Sequence, residues 1–293
     1  MTDMVLRTAR PASISALLNP VGMLSELWSR RDLIGQFSQR YFLARHRGTH
    51  LGMVWALLFP LVLLVVYSFI FNFVFTARSA RLVPDGAGGA LPETQTQYAV
   101  ALFLSLTIFN IFSESVVRSA GLVLDNTNYV KRVVFPLEVL PVSSLMSAVK
   151  FSLFGLGLSL AGVVAFYPKV YATVLLLPVV VLPMLALALG LAWFIASLAV
   201  FVRDIGNLVV IVVGQILFFL TPIFYRAEDL KEWAWIVRVN PLGVVIESAR
   251  QVTLYGQMPD WRALAGVLVA GLVVMQLGYA WFMKSKRGFA DVL

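Results

Sequence analysis

The chain holds 293 residues, 60% of them hydrophobic and only 13% charged, with a formal net charge of +8 and no cysteine. A mean hydropathy of +0.86 lies far from the soluble average, where about a quarter of residues carry charge, so the sequence reads as a polytopic membrane protein. The missing cysteines exclude a disulfide framework, a cysteine-bound zinc and an iron–sulfur cluster, and with His46 and His50 as the two histidines no buried histidine metal centre is expected.

Residues 1–20 carry Arg7 and Arg10 among small and polar residues and read as a cytoplasmic tail. From Val21 to Tyr41 the spacing turns helical: Leu24, Leu27, Trp28, Ile34, Phe37 and Tyr41 share one broad face, with Arg30 and Arg31 at its edge. Arginine stems snorkel well from such an edge, which suits a helix lying in the headgroup plane; a cytoplasmic helix packed on another protein is the other reading. Arg40, Arg45 and Arg47 then precede Leu51–Phe75, a run of 25 residues without a charge. As a helix it covers roughly 37 Å against a hydrocarbon core of about 30 Å, so it crosses with tilt. The arginines in front of it hold that end in the cytoplasm, and the run is too long and too far from the N-terminus for a signal-peptide core.

Thr76–Gln97, with Pro84, Asp85, Gly86, Gly88, Gly89 and Pro92, reads as a turn-rich external loop. The second span runs from Tyr98 to Arg118, and a cytoplasmic connection, Ser119–Pro141, leads to a third span at Val142–Tyr167. A short external turn opens the fourth span, Tyr171–Phe201, where Pro178 and Pro183 are expected to bend the helix. Arg203–Asn207 make a tight inner turn with Asp204 positioned to cap the fifth span, which runs to Tyr225 and breaks near its end at Thr221 and Pro222. Arg226–Arg262 holds two helical pieces around an Asn240–Pro241 break, each too short to cross, which fit a hairpin of half-helices at the outer face. The last span, Leu264–Met283, ends in Lys284, Lys286 and Arg287. This topology places 14 basic residues inside and 8 outside, Arg250 among the latter, with Lys150 within a span. The bias supports six spans with both termini cytoplasmic, an all-α integral membrane fold.

None of the six lysines stands in a G-x-x-x-x-G-K phosphate loop, and neither H-E-x-x-H nor G-x-S-x-G occurs, so the chain is not expected to hydrolyse ATP or to be an enzyme. The basic residues cluster beside apolar spans, a distribution that suits anionic lipid headgroups better than nucleic acid. Two ionisable residues within spans are functional candidates: Glu114, which an i,i+4 pair with Arg118 would also explain, and Lys150, which can snorkel inward or reach Glu114. Trp55, Phe59, Tyr67 and Phe71 in the first span, with Phe218 and Phe219 in the fifth, read either as lipid-facing belt residues or as the lining of a path for sugar rings.

The run from Arg40 to Phe75 resembles the opening of ABC-2 type permease subunits that export polysaccharides of the O-antigen, teichoic-acid and capsular kind, through Arg45, Gly48, Leu51, Gly52, Trp55 and Pro60. Asn126–Pro141 (NTNYVKRVVFPLEVLP), Phe201–Leu208 (FVRDIGNL), Gln215–Tyr225 (QILFFLTPIFY) and Asn240–Leu242 (NPL) agree with it in order, while Thr49 and His50 depart from it. The resemblance implies a homodimer over two separate ATPase subunits that bind ATP and Mg, in the bacterial inner membrane, with a lipid-linked polysaccharide on undecaprenyl diphosphate as substrate. It divides the chain into a tail (1–20), an interfacial helix and basic entrance segment (21–50), a six-helix domain (51–283) with a coupling loop at 119–141 and an outer gate hairpin at 226–262, and a second tail (284–293). It implies ATPase coupling through Asn126, Asn128, Tyr129, Lys131, Arg132, Arg203 and Asp204, and an outer gate at Pro222, Tyr225, Asn240 and Pro241. Arg45 and Arg47 would meet the diphosphate, since arginine suits phosphate geometry. An ABC-2 permease for a drug or small lipid, a membrane transferase acting on lipid-linked sugars, and a non-catalytic scaffold are the alternatives.

Overall fold

The computed structural model describes residues 18–45, 54–69, 82–84, 89–131, 135–225, 232 and 234–293. The expected interfacial helix is two helices, α1 (Pro20–Ser29) and α2 (Arg31–Ala44), hinged at Arg30. Asn19 starts α1 by accepting from the Val21 and Gly22 amides at 3.1 and 3.2 Å, and Pro20 fills the first turn, where a missing N–H costs nothing. Met23, Leu27, Ile34, Phe37 and Tyr41 are buried, but Leu24 and Trp28, expected on the same face, are 56% and 71% exposed. At 3.6 residues per turn they sit about 100–140° round the helix from Met23, so the buried stripe is narrower and rotated. α2 lies along α6 (Val139–Phe166), so this segment is fastened to its own chain by one face and leaves a second apolar edge open.

The first span is described as α3 (Val54–Phe69), which rests on α6 and on α4 (Gln95–Ser119). Between α3 and α4 the expected loop contains an antiparallel hairpin, β1 (Leu82–Pro84) with β2 (Ala90–Pro92), Val83 opposite Leu91. The glycine-rich turn obscured this pairing in the sequence; Val83 is buried against the bundle. α4 begins at a capping box in which Thr94 and Gln97 bond each other's backbone amides. It is the central helix, buried without break from Ala99 to Phe109, a stretch apolar but for Ser105 and Thr107. Ser105, Thr107 and Ser115 satisfy themselves on carbonyls four residues back, at 2.7, 2.8 and 2.6 Å.

After α4 come a short helix, α5 (Thr127–Lys131), then α6 and α7 (Leu177–Phe201). Pro178 stands in the first turn of α7, not within it as expected, and only Pro183 is interior. Asp204 precedes α8 (Ile205–Ile211) but its side chain makes no capping bond, because its own backbone is already helical rather than extended. A π turn (Val212–Ile216) joins α8 to α9 (Leu217–Leu220), where the helix stops short of the expected Tyr225. Next follow α10 (Ala234–Val239), α11 (Pro241–Arg250), a second π turn to Tyr255, and Gly256 at φ +66°, the left-handed position glycine tolerates. Asp260 caps α12 (Trp261–Ser285), and α13 (Phe289–Val292) closes the chain.

α7 and α12 form the most extensive helix pair among the described residues. They meet backbone to backbone: a Cβ on Gly190 would lie 2.5 Å from the Val274 carbonyl oxygen, and one on Gly278 would overlap the Gly190 carbonyl. Among the described residues, four helices are long and apolar enough to cross a membrane, at 95–119, 139–166, 172–201 and 261–292, while 54–66 and 205–220 are shorter apolar helices.

Candidate functional site

Three side-chain assemblies stand out. The first is at the basic end of the bundle, which carries α1, α2, α5 and the C-terminus. Glu138, its side chain 1% exposed, lies just before α6 and binds both Arg30, at the α1–α2 hinge, and Lys286, 2.7 Å away beyond α12. The Trp193 indole donates to the Glu138 carbonyl at 3.0 Å. Arg30 also reaches Glu26 at 2.8 Å, which takes the Tyr279 hydroxyl at 2.6 Å. The buried carboxylate of Glu138 thus ties the N-terminal helices at the start of α6 to the segment after α12, its main-chain carbonyl adds α7, and Arg30 is a structural tie, not the snorkelling edge residue the periodicity suggested.

α5 lies beside this network. Tyr129 accepts a hydrogen bond from Arg40 at 3.0 Å and its ring lies 5.6 Å from Phe37 and 4.6 Å from Phe135. Asn126 turns inward, donating to the Leu122 carbonyl at 2.8 Å, and burial pushes the Tyr41 phenol above its usual pKa against the opposing pull of Arg118 and Arg40. Asn128 and Lys131 are left exposed, as are Arg203 and Asp204. Arg132, Arg47 and Phe71 lie outside the described residues, as does the side chain of Tyr67.

The second assembly is a cavity of about 520 Å³ between α3, α4, α6 and the α8–α9 segment. Its chemistry is divided. α4 contributes Thr107, Asn110, Ser113 and Glu114, a polar stripe at helical spacing flanked by Phe103, Leu106 and Val117, and Arg45 stands at the C-terminus of α2. The opposite wall is apolar: Phe59, Pro60 and Leu63 from α3, and Val210, Gly214 and Phe218 from the fifth helical segment. Arg45 Nη1 lies 2.5 Å from Glu114 Oε1, and its guanidinium stands 3.7 Å from the centre of the Phe151 ring. Glu114 therefore pairs with Arg45 rather than Arg118, which lies over the Tyr41 ring at 4.9 Å. Among the described residues Lys150 makes no ion pair, so the expected reach to Glu114 is not made.

Of the aromatics singled out as path-lining, Phe59 and Phe218 face the cavity; Trp55 and Phe219 do not line it, Phe219 being 67% exposed with its ring edge-on to Phe218 at 5.3 Å. Asn110 and Ser113 escaped sequence reasoning, although they complete an i, i+3, i+6, i+7 polar stripe from Thr107 to Glu114.

The third assembly holds the broken end of the fifth helical segment. From Leu217 to Tyr225 the helix ladder ends, and side chains take its place. The Thr221 hydroxyl donates to the Leu217 carbonyl at 2.7 Å, Asn240 to that of Leu220 at 3.2 Å, Tyr98 to that of Phe224 at 2.5 Å, and Tyr225 to that of Phe219 at 2.9 Å. Arg250, 1% exposed, donates to the Ile223 carbonyl at 2.5 Å and to Ser105 Oγ at 2.8 Å, with longer contacts of 3.4 Å to Tyr225 and Glu247. Pro222 is buried here, and Pro241 starts α11 behind the Asn240 cap. Arg250, counted in the sequence only among the outer basic residues, is bonded on the inward face of α11. It falls about 80° from Leu242, on the flank of the apolar stripe, and that was the available signal.

The ABC-2 type transporter family model matches residues 33–254. The chain is 26% identical over 274 residues to an O-antigen export system permease protein RfbA of Myxococcus xanthus, covering 92% of this chain and 99% of the relative. A protein of the same name from Klebsiella pneumoniae is 24% identical over 264 residues, covering 89% of this chain and 95% of that one. With most of its length inside the matched region, which takes in the cavity and the broken helix alike, the chain belongs to the ABC-2 type transporter family.

Proposed function

We propose that the chain is the membrane subunit of an ATP-driven exporter that carries a lipid-linked, O-antigen-like polysaccharide, anchored on undecaprenyl diphosphate, across the bacterial inner membrane. The observation that carries this reading is the divided cavity: a guanidinium, hydroxyls and an amide along one wall suit phosphate and sugar, and aromatic rings and aliphatic groups along the other suit sugar faces and a lipid tail. The names of the two relatives support the substrate class. Six spans with both termini in the cytoplasm are part of this proposal, the two shorter apolar helices supplying the first and fifth. So is a homodimer: Val62, Val65 and Phe69 on α3 and Ile216 and Phe219 on the fifth segment are exposed, and a second copy against them would cover apolar surface and close the conduit.

Two separate ATPase subunits, holding ATP and Mg, would dock at the basic end on the exposed Asn128 and Lys131 of α5 and the exposed Arg203 and Asp204, and Arg132 is proposed as a further coupling residue. Movement of α5 passes to α2 through the Tyr129–Arg40 bond and the Phe37 and Phe135 rings, and α2 ends at Arg45 on the cavity, so one rigid helix links nucleotide site to substrate. The outer gate would be the broken helix with Pro222, Tyr225, Asn240 and Pro241. Deleting the gene tests the reading: polymer should accumulate inside the cell and reach the surface again when the wild-type gene is restored. Normal surface polymer would refute it. A second reading, a permease for a drug or small lipid, rests on the cavity's volume of about 520 Å³, a size that suits a compact ligand; it predicts drug sensitivity without polymer retention.

A further inference from the structure

We infer that Glu114 is a built-in competitor for the anionic head of the substrate: its carboxylate occupies the Arg45 guanidinium at rest and must be displaced when a phosphate group binds. This rests on the reading above that Arg45 receives a phosphate. Both side chains line the same cavity, 2.5 Å apart and partly accessible at 34% and 22%, so the pair is reachable from the cavity rather than sealed in the core. The Phe151 ring supports one face of the guanidinium, which fixes its plane independently of Glu114. Arg45 would therefore stay in position when its partner changes. Glu114 Oε1 is the anion bound to Arg45 among the described residues, and Lys150, within α6 beside Phe151, makes no ion pair that would hold Glu114 elsewhere.

Carboxylate and phosphate are both recognised by the donor fork of arginine, so one can replace the other without rebuilding the site. The exchange gives a resting state in which the Arg45 cation is already neutralised. It also gives a release step: once the polymer's head moves on, Glu114 returns to Arg45 and the site cannot recapture it. A bound phosphate beside a displaced Glu114 feels like-charge repulsion, which favours onward movement.

The experiment uses the complete complex with its ATPase subunits in nanodiscs, without nucleotide, and farnesyl diphosphate as probe, with farnesol and inorganic pyrophosphate as comparators. Binding is measured by calorimetry on the wild type, Glu114→Gln, Arg45→Ala and the double variant. Gln keeps a carbonyl that accepts from Arg45, so the local fold is retained; Glu114→Ala serves as a second variant, and the melting temperature of each is recorded. Glu114→Gln should tighten farnesyl diphosphate binding about fivefold, the size expected for freeing a half-exposed ion pair, and should leave farnesol unchanged. In the Arg45→Ala background the same substitution should gain much less than fivefold, because only the repulsion by Glu114 is then relieved. Equal or weaker binding by Glu114→Gln overturns the exchange, as does a fivefold gain that persists without Arg45. If Arg45→Ala binds the diphosphate as well as the wild type, or the wild type binds farnesol equally well, the phosphate reading itself fails. Pyrophosphate binding as tightly as farnesyl diphosphate would show that the free anion, not the lipid head, is what Arg45 takes.

Discussion

Arg250→Ala is the substitution whose effect follows most directly from geometry. The side chain is 1% exposed and donates two short hydrogen bonds, 2.5 Å to the Ile223 carbonyl and 2.8 Å to Ser105 Oγ. Each bond from a charged donor is worth about 1.5–3 kcal/mol, and the two 3.4 Å contacts add little, so the loss sums to about 3–5 kcal/mol once some local relaxation is allowed. Part of that cost is the carbonyl of Ile223 left without its donor inside a helical bundle. In a protein of this size it corresponds to a fall in melting temperature of roughly 6–10 °C. Tryptophan fluorescence of the purified complex in detergent would read it, with Arg250→Lys, which cannot span both acceptors, in between, and Ser105→Ala falling by less. An unchanged melting temperature in Arg250→Ala would refute the claim that this residue replaces the missing helix ladder.

Glu138→Gln should destabilise the complex by about 1–3 kcal/mol, less than a fully buried pair because Arg30 and Lys286 are 31% and 27% accessible; limited proteolysis should then release the N-terminal helices first. Gly278→Val should prevent assembly, since its side chain would overlap the Gly190 carbonyl and force α7 and α12 apart, whereas Gly266→Ala on the same helix meets nothing within 4 Å and should express normally. Size-exclusion chromatography separates the two outcomes.

The long, evenly apolar runs were legible in the sequence because burial or lipid on all sides leaves no ambiguity. The helices at 95–119, 139–166 and 261–285 begin within about three residues of the expected starts. The break at Thr221–Pro222 was equally plain, as proline removes a donor and restricts its predecessor. What escaped was every feature set by a distant partner. Glu114 pairs with a residue 69 positions away instead of Arg118 four away, and Arg250 bonds Ser105, 145 positions away. No local spacing encodes such pairs. Which apolar residues of the N-terminal helices meet the bundle was not legible for a different reason: on a helix with apolar residues round more than half its girth, periodicity alone cannot separate Met23 and Leu27, which are buried, from Leu24 and Trp28, which stay exposed. Asp204 failed as a cap because residue type favours capping only when the backbone ahead of the helix is extended.

The central claim is that exported polymer passes along the divided cavity. Photo-crosslinking in living cells tests it most directly, with benzoylphenylalanine placed at Phe59 and Phe218, which face the cavity, and at Val273, 53% exposed on the outer side of α12. The account predicts that light attaches polymer to the protein at Phe59 and Phe218 but not at Val273, and that the adducts vanish when polymer synthesis is blocked. Adducts of equal strength at all three positions, or none at Phe59 and Phe218 while export continues, would contradict it.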